Sequence, residues 1–179
     1  MNVLEKAKAI KAEKAQTQKG FTIIEVVLVL AIAGLIFLMV FIALPALQRN
    51  QRDTQRKGDM GRLSSAIISY TNSNRGKIPV DAAGYSTFVT NYLTTGGDSF
   101  IDPSGATTGQ GDTYVMQSST EADLMTGATP KNFANSQNII YFSNGYICGT
   151  SSSSIAVAGN RKVAFRMVLE GGGYHCVNN

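Results

Sequence analysis

The fold of this protein is decided by one stretch, residues 19–47, which reads KGFTIIEVVLVLAIAGLIFLMVFIALPAL. Within it, the twenty-two residues from Val26 to Leu47 include no charged side chain. As a helix with a rise of about 1.5 Å per residue, this run is long enough to cross a hydrocarbon core of roughly 30 Å. One carboxylate, Glu25, lies at its leading edge. Because an acid at the rim of a membrane helix costs about 2–3 kcal/mol, we expect Glu25 to have a partner and a function.

Two ordinary explanations exist for an apolar run near an amino terminus, a secretory signal and a plain membrane anchor. A cleaved secretory signal has an apolar core of about 7–15 residues followed by a small-residue cleavage site. The run here is longer, and the sequence LPALQRNQRDTQRKG at its end contains no such site. A plain anchor explains the length of the run but not its acid, and it stays open as an alternative.

The segment KGFTIIEVVLVLAIAG resembles the class III signal of type IV pilins and pseudopilins. In that family a membrane aspartyl peptidase removes a short basic leader that ends in glycine. The new first residue, usually phenylalanine, is N-methylated, and a glutamate four residues further on is needed for assembly. The resemblance implies cleavage between Gly20 and Phe21, methylation of Phe21, and an assembly role for Glu25. Gly34 also matches a glycine that is common in these helices.

The physical chemistry of such a site is consistent with the resemblance. Cleavage frees a positive amine on Phe21, and in a stack of subunits that amine can reach Glu25 of a neighbouring copy. Two charges that would each be costly among apolar helices then neutralise one another, and a subunit that lacks one of them leaves the other unpaired. The pairing therefore works as a check on register during assembly, while packing of the apolar helices supplies most of the cohesion.

The resemblance implies an α+β fold of the type IV pilin kind, in which a long amino-terminal helix packs on a small antiparallel sheet. The first half of that helix is expected to span the membrane and the second half to be amphipathic. Four segments follow: a cytoplasmic leader at 1–20, a transmembrane and assembly helix at 21–47, an amphipathic helix at 48–75 and a globular head at 76–179. We expect the head to contain a connecting loop, the sheet and a disulfide-closed carboxy-terminal region.

Two residues are expected to weaken the long helix. Pro45 should kink or locally open it, because a proline removes one main-chain hydrogen bond. Gly34 is a second weak point, since glycine costs a helix about 1 kcal/mol relative to alanine. Related filaments have a flexible stretch between a glycine and a proline placed much like these, so the resemblance implies flexibility from Gly34 to Pro45.

The net charge of +4 is a topology signal more than an indication of partners. Residues 1–20 carry five lysines against two glutamates, so the leader accounts for +3 and the rest of the chain for about +1. Basic residues ahead of a membrane helix keep its amino terminus in the cytoplasm. The basic balance is therefore weak support for a nucleic-acid partner.

The amphipathic pattern after Pro45 places apolar residues at spacings of three and four, which predicts a stripe that packs on a sheet. This stripe consists of Met60, Leu63, Ile67 and Tyr70. The first half of the same helix holds a basic cluster, which consists of Arg49, Arg52, Arg56 and Lys57. We expect the cluster to form a solvated face near the membrane. Contact with lipid headgroups or with another subunit is the alternative.

Residues 76–111 are rich in glycine, serine, threonine and aspartate, which is typical of a connecting loop. One short helix is predicted there, with Ser86 as the cap of the sequence TFVTNYL. Its buried side chains are expected to be Phe88, Val89 and Leu93.

The aspartates of this region are interpreted as turn formers, and DPSG at 102–105 predicts a tight turn. Asp98, Asp102 and Asp112 are the three acids that could approach a hard cation. Their spacing lacks the EF-hand pattern, so a metal site is not expected.

Strands are predicted at 113–117, 138–142, 146–148 and 162–169. The sequence SNG at 143–145 suggests a hairpin turn between the second and third of these. The last strand alternates most clearly, and the face expected to pack on the helix stripe consists of Val163, Phe165, Met167 and Leu169. On its other face Lys162 and Arg166 form an exposed basic pair, which is too small to predict nucleic-acid binding.

The two cysteines, Cys148 and Cys176, can form a disulfide if the chain is exported, because such compartments permit the bond. Many pilins carry a late disulfide that holds the exposed carboxy-terminal region, so the resemblance supports the pair. There is no C-x-x-C redox motif. His175 is the one histidine, it lacks further ligands nearby, and we expect it to be exposed in a terminal segment. No metal and no cofactor is expected.

An enzyme is not expected, because the sequence has no phosphate-binding loop, nucleophile elbow or paired carboxylates. The resemblance implies a structural subunit of a type IV pilus that serves adhesion or motility. Its expected partners are prepilin peptidase/N-methyltransferase, the pilus assembly platform, membrane lipid, other copies of itself and minor pilins. It would be a single-pass protein of the cytoplasmic membrane, amino terminus inside, and later part of an extracellular filament.

Two alternatives to a pilus subunit remain open at this stage. Within assembly proteins, the chain could be a minor pilin or a pseudopilin of a type II secretion or DNA-uptake system. From a different class, it could be a membrane-anchored extracellular binding module.

Overall fold

The computed structural model describes residues 20–95, 97–103, 113–119, 125–126, 129–130 and 138–179. Most of the expected leader, positions 104–105 of the expected turn, and Asp112 lie outside the described residues. The chain divides into two compact units, Met1–Pro45 and Ala46–Asn179. We refer to the second as the globular unit.

The described part of the chain contains two helices and eight strands. Helix α1 spans Ile23–Ser73 and helix α2 spans Ala82–Tyr92. The strands are β1 Val115–Ser118, β2 Met125–Thr126, β3 Thr129–Pro130, β4 Ile139–Asn144, β5 Tyr146–Cys148, β6 Ile155–Val157, β7 Val163–Val168 and β8 Tyr174–Asn178.

The main sheet has four strands in the order β1-β4-β7-β8. β4 and β8 both pair with β7 in antiparallel fashion, whereas β1 runs parallel to β4. Two smaller antiparallel pairs are β2 with β3 and β5 with β6. The predicted α+β arrangement of a long amino-terminal helix and a small sheet is confirmed, and the sheet is antiparallel except for β1.

The predicted hairpin at 143–145 is wrong, because β4 and β5 do not pair with each other. β4 pairs with β7, and β5 pairs with β6. Gly145, at a φ of +85°, turns the chain from one sheet to the other. Its amide donates to Lys162 O at 2.7 Å, and its carbonyl accepts from the Ala158 amide at 2.7 Å. Of the three predicted turn residues only Gly145 lies in the turn, because Ser143 and Asn144 belong to β4 and pair with Ala164 and Val163 of β7.

The core of the globular unit is a cluster of apolar side chains from α1, α2 and the main sheet. Met60, Leu63 and Ile67 of α1 are fully buried in it. So are three residues of one face of β7, which are Val163, Phe165 and Met167. The predicted packing of the helix stripe on this face is confirmed for these six residues, each of which contributes about 1.5–3 kcal/mol. Tyr70 of the predicted stripe is partly buried against the same cluster, whereas Leu169 follows the end of β7 and is not part of it.

Helix α2 begins earlier than predicted, because Asp81 rather than Ser86 is its cap. The Gly84 amide donates to Asp81 Oδ1 at 2.8 Å. Ser86 lies inside the helix and donates to Ala82 O at 2.9 Å. The predicted burial of Phe88, Val89 and Leu93 is confirmed.

The basic cluster on α1 is not the solvated face that the sequence predicted. Arg56 is fully buried: its Nε and Nη2 donate to the two carboxylate oxygens of Asp102 at 2.7 and 2.9 Å. Its Nη1 donates to Asp53 Oδ1 at 2.8 Å. Arg52 donates to Glu170 through both Nε and Nη2. Arg49 and Lys57 are the members of the cluster that stay exposed.

These ion pairs tie three separate segments together. Asp53 also accepts the main-chain amides of Glu170 at 2.9 Å and Gly171 at 2.7 Å, which anchors the turn between β7 and β8 to α1. Burial alone would lower the pKa of Arg56, but its bonds to Asp102 and Asp53 raise the pKa, so the guanidinium stays charged. The hydrogen bonds from Arg52 hold the pKa of Glu170 below its usual value. A buried charge is tolerated here because every part of it has a partner.

The exposed basic pair predicted on β7 does not exist. All six residues of β7 are buried, and Arg166 is 0% exposed. Its Nη1 donates to Ser153 O at 2.8 Å and its Nη2 to Ser143 Oγ at 3.3 Å. Lys162, just before the strand, is exposed and donates to Asn179 O at 2.8 Å. The alternation of polar and apolar residues did not predict which residues of β7 are exposed, because both faces of the strand are covered.

Cys148 of β5 and Cys176 of β8 form a disulfide, with their Cα atoms 5.9 Å apart. The bond joins the small β5–β6 pair to the edge strand of the main sheet. His175 lies beside it in β8 and is half-buried, in contrast to the exposed tail residue that the sequence predicted. Burial lowers the pKa of His175, and the charge of Lys57 lowers it further.

Replacing Asp102 by Asn is expected to destabilise the globular unit by about 3–5 kcal/mol, because the buried guanidinium of Arg56 loses its bidentate carboxylate. The measurement is thermal unfolding of the full chain in detergent. Asp98→Asn is the matched control: its side chain is 76% exposed and lies 3.6 Å from Arg62, so the expected cost is below about 1 kcal/mol. Equal losses in the two variants would contradict a buried role for the Arg56 pair.

Replacing both cysteines by serine is expected to lower the free energy of unfolding by about 3–4 kcal/mol, because the bond closes a loop of 28 residues. Denaturant unfolding of the full chain in detergent measures the loss. Reductant should reproduce it in the parent protein and have no effect on the double variant. A parent protein that is insensitive to reductant would contradict the pairing of Cys148 with Cys176.

Candidate assembly site

The segment at the start of α1 contains Gly20, Phe21 and Glu25. It also contains Thr22, whose role was not predicted. Because α1 begins at Ile23, Thr22 holds the N-cap position and Glu25 the third helical position. Thr22 N donates to Glu25 Oε2 at 2.8 Å, and Glu25 N donates to Thr22 Oγ1 at 3.3 Å. This reciprocal pair is a capping box, which satisfies amides that the start of a helix leaves open.

Glu25 uses only one carboxylate oxygen in this capping box. The Thr22 hydroxyl also donates to Oε2, at 2.8 Å. Within the described residues no group donates to Oε1, and no basic side chain forms an ion pair with Glu25. Thr22 therefore orients the carboxylate, and among the described residues no cation compensates its negative charge. The open oxygen can accept a cation from outside.

The apolar side chains around Glu25 are exposed. Phe21 is 89% exposed, and the large apolar residues of 23–47 are exposed as well. In the part of the chain that is described, α1 is the one helix long and apolar enough to cross a membrane, and none of its most apolar window is buried. This exposed apolar segment is consistent with a helix that contacts lipid or other helices.

Gly34 and Pro45 both lie inside α1. Among the described residues, no side chain or other segment lies within 4 Å of a Cβ built on Gly34, so no packing contact there requires a glycine. Pro45 is the last residue of the first compact unit. The helix continues through both positions, and their flexibility stays a prediction.

The role of Thr22 was missed although its signal is in the sequence. The pattern T-I-I-E at 22–25 has the spacing of a capping box, threonine first and glutamate three residues later. The long apolar run after Glu25 suggested a role for the charge of this residue and not for its position at the start of a helix. Helix-start patterns apply to membrane segments as they do to soluble ones.

No metal centre accompanies this site in the described residues, where no group of three or more His, Cys, Asp or Glu side chains is placed to hold an ion. Asp98 lies 3.6 Å from Arg62, and Asp102 pairs with Arg56. Asp98 and Asp102 therefore form ion pairs with arginines. Asp112, the third acid named in the sequence analysis, lies outside the described residues.

One comparison with known proteins gives a match at this site. A family model, the prokaryotic N-terminal methylation motif, matches residues 16–41. No curated protein matches the chain, and no solved structure does. The matched range contains Gly20, Phe21, Glu25 and Gly34. The chain therefore carries a class III signal peptide of the type IV pilin kind.

The motif supports a pilin-like or pseudopilin-like structural protein. The uncovered apolar helix is consistent with a single-pass, membrane-anchored chain. Processing by a prepilin peptidase and assembly into a pilus-like polymer are what such a motif implies. Both rest on the same few residues at the start of α1.

Replacing Thr22 by Val is expected to loosen the first turn of α1, because loss of the hydroxyl of a capping box costs about 1 kcal/mol. The Val26 amide, which donates to Thr22 O at 3.3 Å, should then exchange with deuterium about fivefold faster. Nuclear magnetic resonance of the full chain in detergent micelles measures this rate.

Thr54→Val is the matched control for the Thr22 variant. It removes another threonine hydroxyl from α1, one that donates to Asn50 O at 2.8 Å. It should leave exchange in the first turn unchanged. Identical exchange in the parent protein and the Thr22 variant would contradict the capping role.

Proposed function

We propose that this chain is the structural subunit of a type IV pilus, cut between Gly20 and Phe21 and polymerised through the first half of α1. One observation carries the proposal. Glu25 stands with an open carboxylate oxygen on an uncovered apolar helix, inside an N-terminal methylation motif. A plain anchor accounts for the apolar helix and its capping glutamate but not for the methylation motif that contains them.

Processing at Gly20 suits the local backbone. Residues 20–22 are exposed and precede the first turn of α1. Proteolysis favours exposed segments whose main chain is free of regular structure. A membrane peptidase would therefore meet an accessible bond ahead of Phe21, and methylation would follow on the new amine of that residue.

The new amine then becomes the partner of Glu25 on a neighbouring subunit. The capping box keeps Oε2 engaged with Thr22 and leaves Oε1 for the incoming cation. Among packed apolar helices, a carboxylate without its amine would cost about 3–5 kcal/mol. The interaction acts chiefly as selection for correct register, since two desolvated charges stabilise little beyond their own burial.

Cohesion comes from the apolar surface of α1. Once a subunit leaves the lipid, its exposed side chains require cover, and neighbouring helices provide it. Gly34 supports this arrangement, because a position open on its Cβ side lets a second helix approach closely. Flexibility between Gly34 and Pro45 would help the helix adjust from lipid to the packed filament.

The globular unit would be displayed outside the cell. A disulfide between Cys148 and Cys176 suits that location, since oxidising compartments preserve such bonds. Its full-sized sheet and this bond favour a surface filament for adhesion or motility over a secretion pseudopilin. Its partners would be prepilin peptidase/N-methyltransferase, the assembly platform, minor pilins and further copies of the chain.

Glu25→Ala and Glu25→Gln are both expected to insert in the membrane and to fail in polymerisation. Because an unpaired charge among packed helices costs about 3–5 kcal/mol, the filament yield should fall at least a hundredfold. The glutamine variant separates charge from hydrogen bonding, because its amide oxygen can still accept from Thr22 N. Filaments sheared from cells and quantified by immunoblotting provide the measurement.

Two readouts distinguish a failed assembly from failed processing. Mass spectrometry should find parent and variant chains that begin at Phe21, with N-methylation in the parent. Membrane fractionation should find equal amounts of all three proteins. A parent chain with an intact Met1 would overturn the processing step, and normal filaments from Glu25→Gln would overturn the charge pairing.

A further inference from the structure

A segment between β4 and β7 lies on the outer face of the main sheet, and we call it the strap. It comprises residues 145–158 and contains the β5–β6 pair. The outer face of β7 is opposite the one that packs on α1, and it carries Ala164 and Arg166. Cys176 of β8 is the register partner of Arg166 and therefore points to the same face. β5 contacts both of these strands.

The strap is closed on itself by hydrogen bonds within its own chain. At its base, the Ala158 amide donates to Gly145 O at 2.7 Å. At its far end, the Gly149 amide donates to Ser154 O at 2.9 Å. The Gly145 amide donates to Lys162 O at 2.7 Å, which fixes the base beside the start of β7. These bonds make the strap a unit of its own, but they do not attach its far end to the sheet.

Polar contacts attach the far end of the strap to the outer face. Arg166 Nη1 donates to Ser153 O at 2.8 Å. The Cys148 amide donates to Asn178 Oδ1 at 3.3 Å, which is longer than a typical bond of this kind. Ser153 and Cys148 are both half-buried, so water competes with these contacts.

Apolar burial contributes little to the attachment of the strap. All positions of the strap are described, and Ile155 is its one buried residue. Among the described residues, the core joins side chains of α1, α2 and the main sheet, and the smaller apolar cluster joins β4, β7 and β8. Neither contains a residue of the strap. Because a segment with few buried apolar contacts opens easily, the strap needs another restraint to stay closed.

The disulfide between Cys148 and Cys176 supplies that restraint. It is a covalent tie from β5, inside the strap, to β8 of the main sheet. Both cysteines are half-buried, so a small soluble thiol can reach the bond without unfolding the core. The segment that depends most on this bond is therefore also the segment that the core depends on least.

We propose that this disulfide is a redox latch, which holds the strap closed when it is oxidised and releases the strap when it is reduced. A thiolate of a soluble dithiol attacks one sulfur of the bond, so the bond between the two cysteine sulfurs breaks and a mixed disulfide forms. The second thiol of the reagent then displaces the cysteine from the mixed disulfide. The reagent leaves as its cyclic disulfide, oxidised by two electrons, and its two protons end on the thiols of Cys148 and Cys176.

Release of the strap changes the outer face of the sheet but not the core. Ser153 moves away from Arg166, so the buried guanidinium loses a carbonyl partner that the closed strap supplies. Met60, Phe88 and Phe165 keep their contacts, because they belong to a core that contains no residue of the strap. The latch belongs to a single folded chain, so it does not depend on whether the chain polymerises.

The experiment is nuclear magnetic resonance of the isotope-labelled full chain in non-ionic detergent micelles, before and after an excess of dithiothreitol. Reduction should move the amide signals of residues 146–157 to positions typical of an unstructured chain. The Gly149 amide should then exchange with deuterium at least about tenfold faster. The signals of Ile67, Phe88 and Phe165 should stay in place. Removal of the dithiol and reoxidation should restore the first spectrum.

Two variants separate the latch from general loosening of the strap. The double variant Cys148→Ser, Cys176→Ser should have an open strap without reductant and should not respond to it. Ile155→Ala removes the buried apolar side chain of the strap but keeps the disulfide, so its strap should stay closed until dithiothreitol is added. Reduction of the folded parent gives the same comparison without any substitution.

Four results would overturn the proposal. In the first, the strap signals keep their native positions after a thiol reagent has counted both cysteines as free. In the second, the core signals are lost together with the strap signals, which would make the bond a requirement of the whole fold. In the third, the strap opens in Ile155→Ala while the disulfide is intact. In the fourth, the bond resists dithiothreitol until a denaturant is added, so that no folded chain could be switched.

Discussion

The packing of Met60, Leu63 and Ile67 against β7 is the contact on which the rest of the globular unit depends. This contact attaches the sheet to α1. The position of the sheet on the helix then determines where the other elements of the unit lie. The same helix, before Pro45, has exposed apolar side chains on all sides. One helix therefore has two different surfaces, since its second half packs on its own sheet and its first half exposes apolar side chains, which we propose to contact lipid or other subunits.

The charges of this protein fall into three groups that differ in how they are compensated. Arg56 is buried and paired within the fold, and it holds separate segments together. Glu25 is oriented by Thr22 but keeps one oxygen open. Arg75, Lys77 and Arg161 are exposed without a carboxylate among the described residues. The first group stabilises the structure, the second is the place from which we infer contact with a neighbouring subunit, and the third is open to solvent.

Predictions from local pattern were correct where neighbouring residues supply the physics. The spacing of the α1 stripe determined which residues are buried, and the run after Glu25 determined an uncovered helix. Predictions about polar residues were less successful. Arg56 and Arg166 were expected at the surface, yet both are buried, because the partners that make burial tolerable come from distant segments. The hairpin at 143–145 failed for the same reason, since β4 finds its partner in β7.

The candidate assembly site depends on residues that are close together in the sequence, Gly20, Phe21 and Glu25, and their roles stay predictions. Only Thr22 was missed, and its capping pattern is equally local. The position of the strap over β7 was not predictable, since Ser153 meets Arg166 only after the chain has folded. The sequence by itself determined the apolar helix, its acid and its processing motif, which depend on short-range order. Tertiary structure alone decided which charges are neutralised, because ion pairing depends on distance in space rather than along the chain.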